Sequence, residues 1–154
     1  MLEGRHYQNA YVTRDIERSI SFFKEQCGVE NASSFEVEVD VWTPGGSGKA
    51  RNKLAFIWID NLQYELIQPV SGLVDIYANE LPNEGHLQFH HICMRVPVWQ
   101  PFRDRVEKQG YQVVLEGGDD NLRFLYLDAR DTLGHYLEYT CMTDERWLQL
   151  GGKP

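Results

Sequence analysis

The chain has few cysteines, no excess of positive charge and no long apolar run. Its cysteines are Cys27, Cys93 and Cys141, odd in number and without a CxxC pair. That argues against a disulfide framework and fits a reducing compartment. Lysine and arginine number 15 against 23 aspartates and glutamates, a net charge of −8. Neutralising nucleic-acid phosphates needs clustered bases, and no run of them occurs, so no nucleic-acid partner is expected. A small anion could still be held by local bases such as Lys49 and Arg51. No stretch approaches the roughly 20 apolar residues that span a bilayer. The opening Met1-Leu2-Glu3-Gly4-Arg5-His6 lacks the apolar core of a signal peptide. A cytoplasmic location with no membrane partner is the expectation. What is present suits one folded domain: 154 residues, 42% apolar and 25% charged, can bury a core.

The chain reads as two similar halves. Residues 7–13 favour a strand, and Asp15 is a plausible cap for a helix over about 16–26. Ile16, Ile20 and Phe23 follow helical spacing, and Gly28 fits the stop. Residues 34–42 alternate as a strand with Phe35, Val37, Val39 and Val41 on a buried face. Pro44-Gly45-Gly46-Ser47-Gly48-Lys49 lacks the spacing of a phosphate loop, and Ala50 stands where Ser or Thr would bind magnesium. A mobile hairpin or flap over a site is expected there. Residues 54–60 and 62–68 follow as strands around an Asp60-Asn61 turn, and a short helix is expected through Leu73, Ile76 and Tyr77. The second half repeats this order: strand 88–96, helix 98–109, then strands 111–115, 122–128 and 135–141. The tail after Thr143 is expected to dock through Trp147 and Leu150.

Two correspondences support duplication. Gln8 precedes Gly28 by 20 residues, and His91 precedes Gly110 by 19. Leu54-Ala-Phe-Ile-Trp-Ile-Asp60 also matches Leu122-Arg-Phe-Leu-Tyr-Leu-Asp128 at every apolar and acidic position. Two β-α-β-β-β modules follow: a single domain over 1–154, with module 1 about 6–69, linker 70–86, module 2 about 87–142 and tail 143–154.

Each half ends in a strand with one Glu in apolar company, Glu65 and Glu138. Each begins with a polar residue in an otherwise buried strand, Gln8 and His91. An unpaired buried carboxylate is costly, by roughly several kcal/mol. Two carboxylates, an amide oxygen and an imidazole on one concave face would suit zinc, nickel, cobalt or manganese.

The stretches Gln8 to Phe23, Tyr64 to Pro69, His90 to Cys93 and Gly134 to Glu138 resemble the vicinal oxygen chelate superfamily, which includes glyoxalase I and methylmalonyl-CoA epimerase. The resemblance covers about residues 6–142. It implies an α+β fold, a cupped, barrel-like mixed sheet from two tandem βαβββ modules with helices outside. It further implies one divalent metal on Gln8, Glu65, His91 and Glu138, and a homodimer. Gln at the first ligand position resembles zinc-using glyoxalases, with His6, two residues earlier, as a possible substitute. His90 is expected to point to the opposite face. Glutathione-using members carry Arg where this chain has Val12 and Leu87, which argues against glutathione.

The activity implied is a metal-dependent isomerase, epimerase or lyase of the glyoxalase I or methylmalonyl-CoA epimerase type. It would move a proton beside a carbonyl of a small-molecule substrate through an enolate or enediolate. Glu138 first and Glu65 second are the candidate catalytic groups. Trp42, Trp58, Phe89, Phe124, Tyr126 and Tyr136 are candidate pocket walls, and Arg95 and Arg123 candidate anion holders. Three alternatives remain open: a metal-free binding protein of the resistance type, an iron dioxygenase, which would need His6 or His90 beside His91, and a protein that keeps the fold and metal but has no turnover.

Overall fold

The computed structural model describes residues 3–85 and 87–154. His86, the last residue of the expected linker, lies outside the described residues. The strands are β1 (Arg5–Val12), β2 (Phe35–Thr43), β3 (Gly46–Ile59), β4 (Leu62–Gly72), β5 (Gln88–Arg95), β6 (Val113–Gly118), β7 (Leu122–Ala129) and β8 (His135–Met142). The helices are α1 (Ile16–Cys27), α2 (Asp75–Ala78), α3 (Trp99–Glu107), α4 (Arg130–Leu133) and α5 (Asp144–Gln149).

The eight strands close into one barrel in the order β1-β4-β3-β2-β6-β7-β8-β5. Within each module the first and last strands pair in parallel, β1 with β4 and β5 with β8. The modules join twice. β1 and β5 run antiparallel over most of their length, and β2 meets β6 through Val41–Gly117 and Trp42–Glu116. The second seam is tight: a Cβ on Gly117 would come within 2.8 Å of the Phe124 ring and 2.9 Å of the Asp40 carbonyl. Only glycine lets the two strands approach there.

The main helices pack outside. Asp15 caps α1 by accepting from the Arg18 amide at 3.1 Å, and Gly28 ends it in the left-handed region at φ 66°. Ile16, Ile20 and Phe23 bury against Ala55, Ile57 and Leu66. Each such side chain contributes roughly 1.5–3 kcal/mol. In the second module Phe102 and Val106 of α3 pack on Leu125, Leu127 and Leu137. The tail docks as its aromatics suggest. Trp147 of α5 is buried edge-on against Tyr7 and Trp58, and the Trp58 indole N–H donates to the Leu150 carbonyl at 2.7 Å.

Three expectations need correction. Residues 44–49 form no flap: β2 and β3 make a tight hairpin around Pro44 and Gly45, with Ser47, Gly48 and Lys49 paired in the ladder. The strand expected over 111–115 runs on to residue 118, because Glu116, Gly117 and Gly118 are still paired with β7. On β2, Val41 is buried but Phe35 is 44% exposed. Phe35 and Val37 face a cavity rather than a packed core, and Val39 lines that cavity while packing against the core.

Candidate functional site

The four sequence candidates stand on four consecutive strands, Glu65 on β4, Gln8 on β1, His91 on β5 and Glu138 on β8. All four are buried. Two bulges in the β1–β5 seam aim them. The register steps over Tyr7 just before Gln8, and over His90 just before His91. An extra residue in one strand re-aims the side chains around it. So Tyr7 and Gln8 are buried together, and so are His90 and His91.

Glu65, His91 and Glu138 converge, with one donor atom from each within 4.8 Å of the others. His91 Nε2 lies 3.0 Å from Glu138 Oε2 and 3.6 Å from Glu65 Oε2. Gln8 enters from the adjoining strand. Its amide nitrogen donates to Gln63 Oε1 at 2.7 Å, and Gln63 in turn donates to the Leu150 carbonyl at 3.4 Å. That chain fixes the orientation of Gln8 and leaves its Oε1 buried with no hydrogen-bond partner. Glu65 Oε2 is likewise buried without one.

The protons on the two histidines can be assigned by following the bonds outward. The Ile76 carbonyl can only accept, so His90 donates to it through Nε2, at 2.8 Å. Burial and the neighbouring His91 lower the His90 pKa to about 3, so its ring is neutral and its Nδ1 bare. His91 Nδ1, 2.8 Å away, is therefore the donor in that pair. The other ring nitrogen of His91, Nε2, faces two carboxylates. That position needs a proton or a metal cation.

Burial and the charge of Glu138 push the Glu65 carboxyl well above its ordinary range. The same two causes raise the phenols of Tyr77 and Tyr126, which remain neutral hydroxyls. For Tyr7 and Cys93, burial again acts first and leaves a protonated phenol and an unreactive thiol.

A cavity of about 180 Å³ opens onto Gln8, Glu65 and Glu138. Larger hollows exist on the surface, such as one around Val39, Gly118 and Arg146, but they do not reach these groups. Of the aromatics singled out in the sequence, Phe124 and Tyr126 line the cavity. Trp58 stacks with Tyr7, Phe89 packs on Tyr11 and His135, Tyr136 stacks on His90, and Trp42 is exposed. Phe35, Phe56, Tyr7 and Tyr77 also line it and had not been singled out.

Several candidate roles dissolve. His6 is exposed, with its Nε2 on the Asn9 side chain at 2.9 Å, because the bulge at Tyr7 puts it out of phase with Gln8. His90 does not point away from His91. The bulge turns it to the same side, and both its nitrogens are engaged. Lys49 pairs with Asp40 and Glu38, and Arg51 with Glu36. Arg95 pairs with Asp144 at 2.8 Å and Arg123 with Asp120 at 3.1 Å. The cation that does line the cavity is Arg146, and Asn52 and Gln63 line it too. Asn52 and Gln63 could have been found by counting in twos from Leu54 and Glu65. Arg146 lies in the tail, where no pattern marks it.

These features define a class, the paired βαβββ barrel with a buried polar cluster beside an internal cavity. The chain belongs to the Glyoxalase/Bleomycin resistance protein/Dioxygenase superfamily, whose family model matches residues 7–126. Solved structures agree in fold. A methylmalonyl-CoA epimerase in complex with methylmalonyl-CoA and NH4+ superposes with a TM-score of 0.63 at 17% identity, covering 92% of this chain and 96% of that one. The methylmalonyl-CoA epimerase of Mycobacterium tuberculosis gives 0.59 at 16% identity, over 96% and 97%. A hypothetical protein, BH1468 from Bacillus halodurans C-125, gives 0.63 at 16%, over 91% and 95%. No curated protein matches the chain by sequence. Among the described residues no helix is long and apolar enough to cross a membrane.

Proposed function

We propose that the chain is a divalent-metal-dependent isomerase, epimerase or lyase that moves a proton beside a substrate carbonyl. One observation carries this reading. Two buried acceptors at the cluster, Gln8 Oε1 and Glu65 Oε2, have no hydrogen-bond partner, and they lie beside a buried His91–Glu138 contact of 3.0 Å. Such a set is costly by itself, and a cation removes the cost.

Gln8, Glu65, His91 and Glu138 would hold the ion. Their oxygen and imidazole donors suit zinc, nickel, cobalt or manganese. When bound, the ion would supply Lewis-acid stabilisation of negative charge on a substrate oxygen. The remaining work falls to the side chains. A carboxylate, Glu138 first and Glu65 second, takes the proton from the carbon beside the carbonyl and returns it. The Gln63 chain keeps Gln8 in place, and His90 fixes the tautomer of His91. Phe56, Phe124 and Tyr126 wall the cavity and limit water beside the reacting carbon. With His6 exposed and both nitrogens of His90 engaged, neither of the two histidines expected to join His91 for iron-dependent oxygenation is available to do so, which supports proton transfer instead.

The test is α-carbon exchange in D2O. The protein, loaded in turn with zinc, nickel, cobalt or manganese, is incubated with acyl-CoA thioesters and thiohemiacetals. Deuterium should enter beside the carbonyl of a substrate, and exchange should stop with chelator or with Glu138→Gln. Absence of exchange with every metal would leave the metal-free binding protein as the better reading.

A further inference from the structure

We propose that the cavity takes a compact carboxylic acid with an apolar body, its carboxylate held by Arg146 at the end supplied by the C-terminal tail. The assignment rests on the reading above for Glu65 and Glu138 and adds the group that would hold the acid's carboxylate.

Arg146 is the one Lys or Arg among the described residues that lines this cavity. It forms no ion pair among them. Its side-chain bond is to Gln149 Oε1 at 3.3 Å, and its charge reaches Asp119 without an ion pair forming. The other candidate cations, Lys49, Arg51, Arg95 and Arg123, are all paired. Two devices hold it at the wall. The Thr143 hydroxyl accepts from the Arg146 amide at 3.1 Å and caps α5, and the buried neighbour Trp147 pins that helix to the barrel. A guanidinium so placed presents its donors in a fork that matches a carboxylate.

The cavity also presents an unmet acceptor. Asn52 is 5% exposed, lines the cavity, and its Oδ1 has no hydrogen-bond partner. Buried amides are normally satisfied, so this acceptor calls for a donor, which a water can supply and an ionised carboxylate cannot. Much of the cavity's remaining wall is apolar, with Phe35, Val37, Leu54, Phe56, Leu122 and Phe124 among its lining. At about 180 Å³ the space is below the roughly 300–1,000 Å³ of pockets for drug-sized ligands, so the body of the acid is small.

The experiment is calorimetric titration of the purified protein, zinc-loaded and chelator-treated, with 3-phenylpropionate and with its neutral amide. The acid should bind at least about tenfold tighter than the amide, as expected for a charge-assisted pair. Arg146→Gln should erase that preference and leave the amide unchanged, while Arg146→Lys should keep part of it. Equal binding of acid and amide, no binding of either, or a preference that survives Arg146→Gln would each overturn the assignment. So would competition by inorganic phosphate at the same concentration as the acid, which would mark a bare anion site. A preference that vanishes with chelator but not with Arg146→Gln would put the carboxylate on the metal and overturn it as well. If zinc does not bind yet the Arg146-dependent preference persists, the metal reading fails and this assignment stands.

Discussion

Replacing Glu138 with glutamine should strengthen the metal-free fold and abolish its response to metal. Donor atoms of Glu65 and Glu138 lie within 4.8 Å of each other. At that separation two full charges repel by about 3.5 kcal/mol with an effective dielectric near 20. Glu65 escapes part of this by holding a proton, as its raised pKa indicates. Removing one charge also puts an N–H donor among acceptors that have none. The net gain should be about 1–2 kcal/mol, or roughly 2–8 °C in Tm for a chain of this size. Adding metal should reverse the order. At a hundred times its Kd a ligand stabilises by about 2.7 kcal/mol, a gain open to the native chain and closed to the mutant. The assay is thermal unfolding at pH 8 with chelator, then with saturating zinc. A mutant less stable than the native chain in chelator would refute the reasoning. It would mean that His91 is protonated and pairs with Glu138 as a structural ion pair, whose rupture costs about 3–5 kcal/mol.

Other consequences follow from the same geometry. In chelator, Glu65 retains a proton in the folded chain that the unfolded chain releases above its ordinary value of 4.5. Stability should therefore fall as pH rises from there, by up to about 1.4 kcal/mol per pH unit, and urea titrations of Glu65→Gln should lack that slope. His90 has the opposite sign. Its pKa drops from 6.5 to about 3 on folding, so its contribution is present above 6.5 and lost as pH falls toward 3. His90→Phe should remove that acid sensitivity and, by freeing the His91 tautomer, weaken metal binding about 10–100-fold by competition with a chromogenic chelator. Trp147→Ala should cost about 3–5 kcal/mol in chemical unfolding, because the indole is buried against Tyr7 and Trp58.

Much of this architecture was legible in the sequence because duplication repeats its signals. The matched strands at Leu54 and Leu122 state the same local preference twice, and the first helix carries clear end marks at Asp15 and Gly28. The convergence of Glu65, His91 and Glu138 could be expected because strand alternation is rigid. Bulges are where such counting fails. One inserted residue at His90 turned a side chain expected on the far face toward its neighbour, and one at Tyr7 removed His6 from contention. Glycines misled in another way. Gly46 to Gly48 suggested a mobile hairpin or a flap, and the hairpin forms, but with these residues held in its ladder. Arg146 was invisible for a different reason. Its place depends on the docking of a short terminal helix through Trp147, a long-range contact with no local signature.

The central claim is that the Gln8, Glu65, His91 and Glu138 cluster is built to hold one divalent ion. Elemental mass spectrometry of the gently purified protein, beside Glu138→Gln, addresses it most directly. The account predicts about one zinc, nickel, cobalt or manganese ion per native chain and a clear reduction in the mutant. Native chains without metal, unable to take it up on dialysis and unchanged in stability by it, would contradict the account.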